Sequence, residues 1–108
     1  MNQSSKGSLF PQRRRLLELF QQINFGRLEN LKIKNREPIF DPPPRVVYEV
    51  KFCGENGPRP EIEAADFLLK AQIVELFQNF DNLGDGIIDS IEIKNGLPFR
   101  MFRKENAA

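Results

Sequence analysis

Apolar residues recur along this chain at two periods, and the change from one to the other marks out its elements. Leu16, Leu19, Phe20 and Ile23 stand at i, i+3, i+4 and i+7, and so do Ile73, Leu76, Phe77 and Phe80. That spacing puts four side chains on one face of a helix. A first helix is predicted to begin near Pro11, whose ring suits a first helical turn. A second is predicted from about Ile62 to Phe80, with Leu69 also turned inward. Elsewhere the period falls to two. Val46, Tyr48, Val50 and Phe52 alternate with Val47, Glu49 and Lys51, which predicts a strand. Ile87, Ile91 and Ile93 are β-branched, and Asn95-Gly96 follows where a two-residue type I′ hairpin turn needs positive φ. Asn35-Arg36 stands at the corresponding place in the first half, a weaker turn signal. Asp41-Pro42-Pro43-Pro44 reads as a stiff corner, and Gly54 to Pro60 as a turn-rich connector.

The two helix-to-hairpin stretches resemble one another. Glu18-Leu19-Phe20-Gln21 reappears as Glu75-Leu76-Phe77-Gln78, 57 positions on. Gly26, Ile33, Lys34, Asn35 and Pro38 reappear as Gly86, Ile93, Lys94, Asn95 and Pro98, 60 positions on. Matched blocks in the same order indicate a duplicated supersecondary unit, and the unequal offsets imply a three-residue insertion inside the second copy. The repeat units run about 11–41 and 62–103. The predicted fold is α+β in the order α-β-β-β-α-β-β: duplicated helix–β-hairpin units with an extra central strand, in an antiparallel sheet with two helices on one face. It would form a single domain over 9–104 behind a disordered N-terminus at 1–8. Ile88, Ile91 and Ile93, then Leu97, Phe99, Met101 and Phe102, place apolar residues on both faces of the strands. Two helices would leave an apolar strip or edge uncovered, which favours self-association, so a homo-oligomer, a homodimer first of all, is expected.

Composition adds mostly exclusions. The chain has 108 residues, 40% of them apolar, and a net charge of +1, so it can bury one ordinary core and has no global field to draw nucleic acid or a membrane. No apolar signal core stands near its start and no apolar run reaches membrane-spanning length, so a cytoplasmic location is the default. There are no histidines, which removes the commonest general base and transition-metal ligand. Cys53, the single cysteine, reads as a structural thiol without an activating base. No carboxylate pair stands out by its spacing, and the glycine pairs lack the lysine of a phosphate loop. No enzyme activity and no cofactor are expected. Arg13-Arg14-Arg15 near one end, and Arg100, Arg103 and Lys104 near the other, could meet phosphate or an acidic partner. Without interleaved aromatics they read first as solvated faces, so nucleic-acid binding through these N- and C-terminal basic clusters is an alternative, not the expected function.

Residues 81–92 support a second alternative. Asp81, Asp85, Gly86, Ile88, Asp89 and Glu92 occupy positions 1, 5, 6, 8, 9 and 12 of a twelve-residue loop that follows a helix, so the stretch resembles an EF-hand calcium loop. The resemblance implies calcium held by Asp81, Asp85, Asp89 and Glu92 together with the carbonyl of Ile87. Leu83 at position 3 offers no oxygen, and Asn95-Gly96 and Pro98 would stop the exiting helix after about one turn. The loop is therefore read as turn geometry, with no metal expected. Residues 16–40, centred on Ile23-Asn24-Phe25-Gly26 and continuing through Ile33-Lys34-Asn35, resemble the YezD-like small bacterial proteins, in which a short amphipathic helix runs into Ile-x-Phe-Gly, a strand and a turn. That family has no established activity, so the resemblance implies a small bacterial α+β domain and nothing about function. The leading expectation is a non-catalytic protein-interaction or structural module that self-associates, with an unknown protein partner.

Overall fold

The computed structural model describes residues 11–53 and 70–105. The segment at 1–8, the connector from Gly54 to Pro60, Ile62 and Leu69 lie outside the described residues; the second helix, expected to run unbroken from about Ile62 to Phe80, instead begins at Ala71 and ends at Leu83, because Lys70 is extended at φ −81° and ψ 124°. Helix α1 (Pro11–Ile23) runs into strands β1 (Gly26–Lys34) and β2 (Glu37–Ile39), followed by β3 (Arg45–Tyr48); helix α2 (Ala71–Leu83) runs into β4 (Gly86–Lys94) and β5 (Leu97–Phe102). The five strands form one open antiparallel sheet in which β1 and β4 are the central pair. β5 lies beside β4, while β2 and β3 share the outer edge of β1. Both helices cover one face. Leu16, Leu17, Phe20 and Ile23 of α1 and Ile73, Leu76, Phe77 and Phe80 of α2 meet Leu28, Leu31, Ile33, Ile88, Ile91 and Ile93 in a single core.

The duplication is visible in the backbone. Residues 60 apart share unusual geometry: φ is +65° at Asn24 and +72° at Gly84, +151° at Gly26 and +156° at Gly86, +52° at Asn35 and +56° at Asn95, +68° at Arg36 and +75° at Gly96. Asn24 and Gly84 each end a helix at positive φ, their N–H groups donating to the Phe20 and Phe80 carbonyls at 2.9 and 3.0 Å. Both hairpins therefore make the same two-residue turn, although Arg36 must take a conformation that glycine takes at lower cost. The central pairing is symmetric as well, since Leu28 faces Ile91 and Leu31 faces Ile88. An approximate two-fold axis thus passes between β1 and β4. The turns cross it: Arg36 N–H donates to the Gly84 carbonyl at 2.7 Å, and Gly96 N–H to the Asn24 carbonyl at 2.9 Å.

Three expectations are corrected by this geometry. The second copy carries no insertion, because α1 and α2 also correspond at 60 positions. The Glu-Leu-Phe-Gln identity at 57 is a slip of three residues, and a helical stripe spaced at three and four nearly superposes on itself after such a slip. The member of the α1 stripe that matches Phe77 is Leu17, fully buried, whereas Leu19 is only partly covered. Second, β3 ends at Tyr48 because its partner β1 begins at Gly26, the residue opposite; Val50 and Phe52 lie beyond the sheet, 63% and 92% exposed. Third, no apolar strip runs down the open face of the central pair. Leu28 and Leu31 both face the helices because Asn30, at φ +60°, shifts the alternation between them, and Ile88 and Ile91 opposite do likewise. Arg27, Lys32, Lys34 and Lys94 are left exposed, with Ile87 the exposed apolar residue of that pair.

Candidate functional site

One member of the first expected cluster, Arg13, is absorbed into the fold. Arg13 falls on the buried stripe of α1, three residues before Leu16, and is 5% exposed. Its guanidinium donates to Asp81 Oδ1 at 2.6 Å and to the Arg36 carbonyl at 2.9 Å, and lies 4.8 Å from the centre of the Phe77 ring. Nε stands 3.3 Å from Glu37 Oε2 without hydrogen-bond alignment, so that contact is coulombic. Arg13 thereby ties together both helices and the first hairpin. Arg14 and Arg15 are exposed, Arg15 lying over Phe40 at 4.4 Å. At the other cluster Arg100 pairs with Glu92 at 2.6 Å and Arg103 with Glu105 at 3.6 Å. The repeat relates Arg13 to Ile73 and Arg100 to Phe40, so the two clusters are not symmetry mates.

Burial raises the Glu37 carboxyl above the ordinary carboxylate range; Arg13 and Arg36 oppose the shift and Asp81 adds to it. Oε1 is shielded from water and has no hydrogen-bond partner among the described residues, which is the local reason the charged form is disfavoured. The folded state therefore keeps this proton to a higher pH than the unfolded chain. Stability from it is fully present below the unfolded pKa and is lost as pH rises through the raised value. Melting followed from acidic to neutral pH should show that loss, and Glu37→Gln should flatten it. An unchanged slope in the variant would place its origin elsewhere.

The residues of the calcium alternative are spread over three elements. Asp81 lies in the last turn of α2 against Arg13, and Asp85 Oδ1 accepts the Asn35 N–H at 2.7 Å. Ile87, Asp89 and Glu92 lie in β4, where an EF-hand would begin its exiting helix, and Glu92 is paired with Arg100. Among the described residues no three carboxylate or thiol groups converge as a metal site. Cys53 is exposed just beyond β3.

What sequence reasoning missed is a groove of about 570 Å³ across the ends of β1, β3 and β4 and the irregularity of β5. Phe25, Val47, Tyr48 and Phe99 supply its apolar lining; Arg27, Lys51 and Lys94, with Glu49 and Glu92, supply charges of both signs. Lys51 Nζ lies 4.5 Å from the centre of the Phe25 ring. Tyr48 and Phe99 are each 51% exposed. The available signal was Phe99, an aromatic one residue past the proline of a two-residue hairpin, where register slips easily. Among the described residues no helix is long and apolar enough to cross a membrane. No family model, no curated protein and no solved structure matches the chain.

Proposed function

We propose that this protein is a non-catalytic interaction module that self-associates through the aromatic groove at the Tyr48–Phe99 end of the sheet. The observation that carries the reading is the half-exposure of Tyr48 and Phe99 within one concave, apolar-lined surface, with Val50 and Phe52 exposed close by in the chain. Aromatic rings bury large areas at low entropic cost and dominate interface energies. A symmetric interface must also be complementary to itself, and a groove bearing both lysines and glutamates meets that condition where a single-sign surface would not. Light scattering across a wide concentration range should show a dimer that dissociates on dilution. Phe99→Lys should stay monomeric while melting near the wild-type temperature, because an exposed ring contributes little to folding. A strict monomer at every concentration would overturn the proposal.

A further inference from the structure

The approximate two-fold symmetry fails at the outer edges of the central pair. In the first unit the outer edge of β1 is covered along its length, by β2 opposite Lys32–Lys34 and by β3 opposite Gly26–Glu29. In the second unit β5 covers β4 only from Ser90 to Lys94. The remaining edge, Gly86 to Asp89, carries no strand among the described residues.

The residues at that edge match those that receive β3. A Cβ on Gly26 would lie 2.0 Å from the Val47 carbonyl oxygen, so glycine there admits the backbone of β3. Gly86 has a similar φ, yet the atoms nearest to a Cβ on it would be those of the Leu83 side chain, at 3.2–3.4 Å, and no backbone carbonyl. Glu29, opposite Arg45 of β3, is also paired with Arg27 at 2.7 Å. Its counterpart Asp89 has neither cation among the described residues: position 87 is isoleucine, and no described strand carries an arginine opposite. Asp89 Oδ2 is shielded from water with no hydrogen-bond partner among the described residues, an acceptor left unsatisfied at a cost. Exposed Ile87 stands where Arg27 faces Val47 in the first unit.

We infer that the Gly86–Asp89 edge takes an extended peptide segment of a partner protein as an added antiparallel strand, with a basic residue opposite Asp89 followed by two apolar residues opposite Ile88 and Ile87. Main-chain hydrogen bonds would hold the strand and alternate side chains would select it. Cross-strand neighbours share a face within reach of one another, so an arginine or lysine there meets the orphaned carboxylate.

The chain itself provides the probe, because Pro44-Arg45-Val46-Val47-Tyr48-Glu49 already fits the symmetry-related edge. This hexapeptide, titrated into the full chain, should shift the amide resonances of Gly86, Ile87, Ile88 and Asp89 saturably. The same peptide with glutamate in place of its arginine should bind about tenfold more weakly, as expected for loss of one charge-assisted hydrogen bond. Asp89→Asn should erase that difference, and Asp89→Lys should reverse it. No shifts at this edge, shifts confined to Gly26–Glu29, or equal affinity for both peptides would overturn the inference. Light scattering on the same samples reads self-association through the groove independently, so either proposal can fail alone.

Discussion

Truncating Phe80 to alanine is expected to remove about 3–5 kcal/mol of stability, and truncating Phe20 nearly as much. Both rings are fully buried, they occupy symmetry-related places at the ends of the two helices, and each fills the space above the central strand pair. Helix and strand side chains pack around each ring, so the lost transfer energy and the cavity cost should both appear. The two positions differ in one respect that makes the comparison informative. Phe80 packs against Phe77 with ring centres 5.8 Å apart and planes at 53°, whereas the neighbour of Phe20 at the matching position is Leu17. Phe80→Ala should therefore cost more, by about 0.5–1.5 kcal/mol for the lost ring pair. Urea unfolding of the two variants measures both quantities. A loss below about 1 kcal/mol in either would mean that the core is not packed as described.

Removing the buried cation should be of similar severity. Arg13→Ala would leave Glu37 and Asp81 facing one another without their shared cation and the Arg36 carbonyl without its donor. Breaking a buried ion pair by deleting one partner costs about 3–5 kcal/mol. The Asp81 side chain is 51% exposed and can be rehydrated, so roughly 2–4 kcal/mol is the expectation here. The loss should be greater at neutral than at acidic pH, because protonating Glu37 relieves it. The duplication supplies the control. At the symmetry-related positions Arg13, Glu37 and Asp81 are replaced by Ile73, Leu97 and Gln21, so one end of the molecule holds ions where the other holds mainly apolar side chains. Grafting Arg13→Ile, Glu37→Leu and Asp81→Gln together should recover most of the stability that Arg13→Ala loses. If the triple variant unfolds as readily as the single one, the ions do more than fill that space.

Much of the architecture could be read before any coordinates. The helical stripes, the Asn95-Gly96 turn and the glycine ahead of each hairpin carry strong local preferences, and each was realised. What escaped was whatever depends on register. A helix pattern tolerates a slip of three, so the offset between α1 and α2 was misread, and with it the alignment of Arg13 with Ile73. Aligned at 60, an arginine matched to a core isoleucine would have marked Arg13 as buried before it was counted in a basic cluster. The alternation from Val46 to Phe52 is a genuine strand pattern, but a strand ends where its partner ends, and the position of Gly26 opposite Tyr48 is not local information. The groove lay hidden for the same reason: Phe25, Tyr48 and Phe99 come from three elements. Residues of the calcium alternative were close in sequence, yet β4 extends where that resemblance needs a helix, and extension separates Asp85, Asp89 and Glu92.

The paired bonds from Arg36 to Gly84 and from Gly96 to Asn24 have a kinetic meaning. Each half of the chain follows its own helix with a carbonyl that accepts from the other half's turn, and each lays its long strand against that of the other. Pairing β1 with β4 therefore requires the long segment between the halves to be closed, at an entropic cost that this pairing must offset. Such a topology folds more slowly than its helical content suggests, and loosening one turn removes a hydrogen bond from the helix-to-strand junction of the opposite half.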